Sequence, residues 1–173
     1  IFYDSKNNLK KSNLKNKIKS DFSCLLIVGG GDETLKYKYE IEAFIKKFQP
    51  LVLNLNASSN IDQKFIDYFV FCNPERILST KYINNKNMKV ITPSVANDNF
   101  KYEKDVINQD IFVNKSSFIK NESFSSVPNS LAFTYALDIS AKLTKSKIYL
   151  AGISGYKDNS NKNKELNKTI LLS

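Results

Sequence analysis

The chain holds 173 residues, 42% of them hydrophobic, with 26 Lys plus Arg against 17 Asp plus Glu and a formal net charge of +9. That length suits one domain with a flanking segment, and no apolar run approaches the roughly 18 residues that read as a membrane span. Histidine is absent, which removes the commonest general base and the commonest metal ligand. The positive balance would attract polyanions, yet the lysines are spread among asparagines with no Arg cluster and no aromatic RNA-binding motif, so nucleic acid is not the expected partner.

Residues 1–20, IFYDSKNNLKKSNLKNKIKS, are rich in Lys, Asn and Ser and read as a linker following an upstream domain, with Leu9, Leu14 and Ile18 available for one loose helical stripe. A domain is expected over residues 21–173. Its organising stretch is Cys24 to Tyr37, CLLIVGGGDETLKY. The uninterrupted apolar run Leu25 to Val28 predicts a parallel strand buried on both faces. Gly29, Gly30 and Gly31 would form the turn at its carboxyl end, where glycine lets backbone N–H groups approach a ligand and the following helix directs its positive end at the same spot. A phosphate is the simplest ligand for such a turn. Of the dinucleotide fingerprint, Gly29 and Gly31 supply the first pair, but Thr34 holds the third glycine position and no carboxylate ends the next strand, which disfavours NAD. The alternative is that the glycines serve only a tight strand-to-helix turn.

Tyr37, Ile41, Phe44, Ile45 and Phe48 then recur at helical spacing, with a Glu42 to Lys46 pair on the opposite face. Pro50 ends that helix and LVLNLN, Leu51 to Asn56, predicts a second strand. A helical turn near Ile61 to Ile66 leads to a third strand, Tyr68 to Cys72, closed by Asn73 and Pro74; Ile77, Leu78, Tyr82 and Ile83 suggest a helix behind it. MKVIT, Met88 to Thr92, predicts a fourth strand. From about 96 to 127 the pattern degrades into a variable excursion with one credible strand near Asp110 to Val113. A helix returns over Ser130 to Leu143, with Asn129 or Ser130 as N-cap, and KIYLA, Lys147 to Ala151, predicts a last buried strand. Alternating strands and helices imply an α/β, Rossmann-like, doubly wound and mostly parallel sheet with helices on both faces. Cys24 and Cys72 both fall in apolar runs without C-x-x-C spacing, which with no signal peptide points to a reducing, cytoplasmic setting.

Ligands of such sheets sit at the carboxyl ends of the strands, where strand order reverses. The candidates there are Gly29, Gly30, Gly31, Asn56, Asn73, Ser94, Gly152, Ser154 and Tyr156. Each asparagine amide offers two donors and an acceptor, suited to ribose hydroxyls or a base edge, although Asn also simply begins turns.

IVGGGDETL at Ile27 to Leu35, LNLN ending at Asn56, FCNP at Phe71 to Pro74 and KIYLAGISGY at Lys147 to Tyr156 resemble the nucleotide-binding half of bacterial lipooligosaccharide sialyltransferases. That resemblance implies CMP held by Gly29, Gly30, Gly31, Asn56 and Asn73. It departs at the family's histidine, absent here, and at its Asp after I-Y-L-x-G-I, which is Ser154. DYFVFCN at Asp67 to Asn73, the helix at Tyr37 to Ile45 and KIYLAG at Lys147 to Gly152 resemble, over roughly residues 21–156, a C-terminal domain attached to aldolases of the hydroxymethylglutaryl-CoA lyase and 4-hydroxy-2-oxovalerate aldolase type in surface-polysaccharide gene clusters. The implied function is an accessory domain binding a pyrimidine nucleotide, nucleotide sugar or phosphorylated metabolite beside an upstream aldolase-type TIM barrel, with homo-oligomers open to it and lyase chemistry outside this chain. Two alternatives stand: a sialyltransferase-like enzyme using a CMP-activated sugar, and a degenerate assembly domain with no ligand.

Overall fold

The computed structural model describes residues 12–18, 21–56, 60–73, 76, 88–94, 105–114 and 117–153. Six parallel strands form the main sheet: β1 (Leu25–Val28), β2 (Leu51–Leu55), β3 (Tyr68–Val70), β4 (Val90–Thr92), β5 (Val106–Asn108) and β8 (Ile148–Ala151), in the order β5-β4-β3-β2-β1-β8. The chain therefore lays down β1 to β5 side by side in one direction and returns to the far side of β1 for β8. This is the doubly wound, Rossmann-like α/β arrangement, and its order reverses between β1 and β8. A second sheet pairs β6 (Ile111–Val113) with β7 (Ser125–Val127), also parallel.

Side chains alternate across the sheet and build two cores. On one face Leu25, Ile27, Leu53, Leu55, Val70, Ile91 and Ile107 meet Tyr135, Ala136, Ile139 and Leu143 of the helix α4 (Ala132–Leu143). Leu14 and Ile18, in and just after the short helix α1 (Leu14–Lys17), join that core, so residues 12–18 of the segment read as linker pack into the domain. On the other face Leu26, Val28 and Val52 meet Ile45 of α3 (Lys38–Phe48), with Ile41 and Phe44 alongside.

The helix expected after the glycines arrives in two pieces, α2 (Asp32–Lys36) and α3, divided at Tyr37. Glu42 reaches back to Lys38 at 3.8 Å and accepts from the Asp62 amide at 3.0 Å. Lys46, the expected partner, instead lies 5.5 Å from the centre of the Phe65 ring. α3 closes at Gln49, whose left-handed φ of 47° lets its amide reach the Ile45 carbonyl at 2.9 Å before Pro50. The turn expected at Ile61 to Ile66 is a single 3₁₀ turn, Gln63–Phe65. The helix expected from Ile77, Leu78, Tyr82 and Ile83 lies outside the described residues. At α4 the N-cap is Leu131, and Asn129 caps from further out, its Oδ1 accepting from the Leu131 amide at 3.2 Å and the Thr134 hydroxyl at 2.8 Å. Within the region read as an excursion, β5 extends the main sheet and β7 pairs with β6. No helix of the described residues is long and apolar enough to cross a membrane.

Candidate functional site

Strand order reverses between β1 and β8, and the glycine turn sits at that point. Gly29 donates to the Ala151 carbonyl at 2.8 Å and Gly31 to the Gly152 carbonyl at 3.3 Å. Thr34, fully buried, donates through its hydroxyl to the Gly29 carbonyl at 2.7 Å. A Cβ on Gly29 would stand 2.4 Å from the Gly152 carbonyl oxygen. Gly152 has a φ of 66°, and a Cβ there would stand 1.6 Å from the Thr34 hydroxyl oxygen. The ends of β1 and β8 thus interlock through Gly29, Thr34 and Gly152. The amides of Gly29 and Gly31 serve β8, and Asp32 and Glu33 already occupy the first turn of α2. Half-buried Gly30 lies between them.

Beside this interlock, β2 ends in two asparagines of unequal exposure. Asn54 is fully buried within an apolar strand; its Nδ2 donates to the Asn56 carbonyl at 2.8 Å while its Oδ1 has no hydrogen-bond partner among the described residues. Asn56 adopts φ 56°, its amide donates to the Val70 carbonyl at 3.0 Å, and its Oδ1 is likewise enclosed without a partner. Asn60 Nδ2 donates to the Gly31 carbonyl at 3.2 Å and ties the β2 side of the edge to the glycine turn. One strand further, Asn73 is half-buried and its carbonyl accepts from the Arg76 amide at 3.2 Å. At the end of β4, the Thr92 hydroxyl is buried with no partner among the described residues, and buried Ser94 donates its amide to Asp110 Oδ1 at 2.7 Å. Asn108, paired in register with Thr92, ends β5 with the same deficit at its Oδ1. Ser154 and Tyr156 lie outside the described residues.

An enclosed polar atom without a partner costs about 1–3 kcal/mol, so each such atom calls for an explanation. Five are found among the described residues. Four of them, Asn54, Asn56, Thr92 and Asn108, lie at the carboxyl edge; the fifth, Ser126 Oγ, lies in β7. No family model, curated protein or solved structure matches this chain. The chemistry of the edge therefore stands on its own geometry: three amide oxygens and a hydroxyl without partners among the described residues, beside the interlock of β1 and β8.

Two other clusters invite comparison. Lys142, on α4, forms a buried ion pair with Asp138 and also donates to the Phe124 carbonyl at 2.8 Å and the Ser125 hydroxyl at 3.2 Å. Oriented so that its oxygen faces the Lys142 ammonium at 3.2 Å, the Gln109 amide completes the set and turns its nitrogen to the Ser12 hydroxyl. Burial pushes Lys142 below the ordinary lysine value, against the pull of Asp138. With each of its donors engaged, Lys142 braces α4 against β7. The Tyr135 hydroxyl beside it donates to the Gln109 carbonyl. The second cluster is an open groove of about 460 Å³ lined by Ile45, Lys46, Pro50, Lys64, Phe65 and Asp67. It lies at the amino ends of β2 and β3, opposite the strand ends. Its carboxylate, Asp67, accepts from the Val52 amide at 2.8 Å and is raised by burial above the ordinary aspartate value. No group of three or more His, Cys, Asp or Glu suited to a metal ion occurs among the described residues.

Asn54, Thr92 and Asn108 lie outside the set of candidates drawn from the sequence. Asn54 carries a legible signal, since it interrupts the apolar run LVLNL of a strand buried on both faces.

Proposed function

We propose that this domain binds a nucleotide, nucleotide sugar or other phosphorylated metabolite across the carboxyl ends of its strands, as an accessory module to an aldolase-type enzyme of surface-polysaccharide synthesis. The observation that carries the ligand is the pair of unpartnered, enclosed oxygens on Asn54 and Asn56, set beside the point where strand order reverses. Carbonyl oxygens accept only, so they match ribose hydroxyls or the exocyclic amine of a base. The phosphate is not assigned to the Gly29 and Gly31 amides, which serve β8. The accessory role is supported by the absence of histidine and by the resemblance of DYFVFCN and KIYLAG to the aldolase-attached domains.

The test is calorimetry and thermal shift with CMP, UDP and CDP and their sugar conjugates. A ligand at 100 times its Kd adds about 2.7 kcal/mol of stability. Asn56→Gly is the matched variant, because glycine accepts the left-handed φ of 56° while removing the side-chain oxygen. The variant is expected to fold normally and to lose most of the shift. A panel with no shift on the unsubstituted protein refutes the reading.

A further inference from the structure

We propose that the ligand is read a second time at the ends of β4 and β5, where Thr92 and Asn108 receive the hydroxyls of a sugar, so that the domain selects a nucleotide sugar over the free nucleotide. The inference rests on the reading that the end of β2 takes the nucleoside.

Thr92 and Asn108 face each other in the β4–β5 ladder, so their side chains leave the sheet on the same face about 5 Å apart. Ile91 and Ile107 point into the core under α4, which places Thr92 and Asn108 on the opposite face. Asn54 shares that face, since its neighbours Leu53 and Leu55 both point to α4. Three of the unpartnered atoms therefore line one side of the sheet.

Their chemistry selects the ligand. Asn108 Oδ1 only accepts, and the Thr92 hydroxyl both donates and accepts. A phosphate oxygen would present lone pairs to the Asn108 carbonyl oxygen and be repelled, whereas a sugar hydroxyl can donate to one atom and accept from the other. Valine has the shape of threonine without the hydroxyl, so an unpartnered Thr92 hydroxyl has no structural use at a site that is 0% exposed.

The span selects the ligand further. β3 lies between β2 and β4, so the ends of β2 and β4 stand about 10 Å apart. One furanose or pyranose ring cannot reach both. Two hydroxyl-bearing units joined by a phosphate linker can. Between them, at the end of β3, Phe71 is fully buried and offers no polar atom from its side chain.

The experiment compares matched pairs, UDP with UDP-hexoses and CMP with CMP-activated sugars, by calorimetry on the unsubstituted protein and on Thr92→Val. One hydrogen bond to ligand is worth roughly tenfold in affinity. The sugar conjugate is expected to bind at least that much more tightly than its nucleotide. Thr92→Val should erase the difference by weakening the conjugate, and should leave the unliganded thermal midpoint equal or higher. Equal affinity within every pair, or loss of both ligands alike in Thr92→Val, overturns the inference while leaving nucleotide binding intact. A lower unliganded midpoint in Thr92→Val also overturns it, by showing the hydroxyl to be a structural group. Stabilisation by Mg²⁺ or Ca²⁺ alone that disappears in Thr92→Val would replace the sugar by a cation. Binding of neither nucleotide nor conjugate removes the underlying reading together with this one.

Discussion

Replacing Gly152 by alanine tests the interlock between β1 and β8. At φ 66° a residue with a Cβ carries about 1 kcal/mol of strain. The new Cβ would stand 1.6 Å from the Thr34 hydroxyl oxygen, 2.9 Å from the Gly29 carbonyl oxygen and 3.0 Å from the Thr34 Cβ, so Thr34 must move. Moving it breaks its 2.7 Å bond to the Gly29 carbonyl, about 1 kcal/mol net, and repacking a filled interior costs about 1–3 kcal/mol more. Gly152→Ala should therefore destabilise by about 3–5 kcal/mol, read as a lowered urea midpoint at unchanged m by circular dichroism. Thr34→Ala removes the clashing oxygen. The double variant should then be more stable than the sum of the single losses predicts by at least about 1 kcal/mol. A loss below about 1 kcal/mol for Gly152→Ala, or strict additivity in the cycle, would refute the interlock.

Lys142→Met keeps the length of the side chain but leaves Asp138 buried and unpaired, and should cost about 3–5 kcal/mol; adding Asp138→Leu should recover much of that in the same urea assay. Tyr135 is fully buried and burial raises its phenol well above the ordinary value of 10.0. Its folded pKa exceeds its unfolded one, so the stability it contributes is complete below about pH 10 and is lost as pH rises beyond. Chemical denaturation across pH 9–12 should show that decline, and Tyr135→Phe should flatten it. Cys72 is pushed up to about 11 by burial and donates to the Ser130 carbonyl at 3.0 Å. Its thiolate share near pH 8 is about a thousandth, so a thiol reagent should label it at least about a hundredfold more slowly in the native protein than in urea; equal rates would contradict the burial.

Apolar runs were legible where the sheet is buried on both faces. Leu25 to Val28 coincides with β1, and β2 stops one residue before Asn56 because that residue turns left-handed. Lys147 to Ala151 differs from β8 by one residue, but that strand is not buried as expected: it lies at the edge of the sheet with Tyr149 and Leu150 exposed. β3 and β4 are shorter than expected, although the Phe71 amide still donates to the Ile91 carbonyl at 3.0 Å and the Lys89 carbonyl still accepts from the Phe69 amide at 2.9 Å. β5 is hidden by its polar end: Asn108 and Gln109 look like loop, yet Gln109 is buried by bonds to Tyr135 and Ser125. Hydrophobic pattern cannot register a polar residue whose partners lie elsewhere in the chain. The same limit applied to the site. Asn56 was visible as a strand-end residue and Gly152 as part of a glycine step, but the contact of Gly152 with Thr34 joins positions from opposite ends of the sequence. The amphipathic stripe of α3 was readable from spacing, whereas its break from α2 at Tyr37 has no marker in the residues.

The order of the strands has a consequence for synthesis. β1 to β5 can add to one another as the chain emerges, each beside its predecessor. β8, about 120 residues after β1 in sequence, supplies the other half of β1's hydrogen bonds. At ribosomal rates that interval lasts on the order of ten seconds. Throughout it, LLIV presents an open edge to the rest of the nascent chain and to neighbouring chains. A product cut short before Ile148 would keep that edge permanently, and chaperone capture or aggregation would then be its fate.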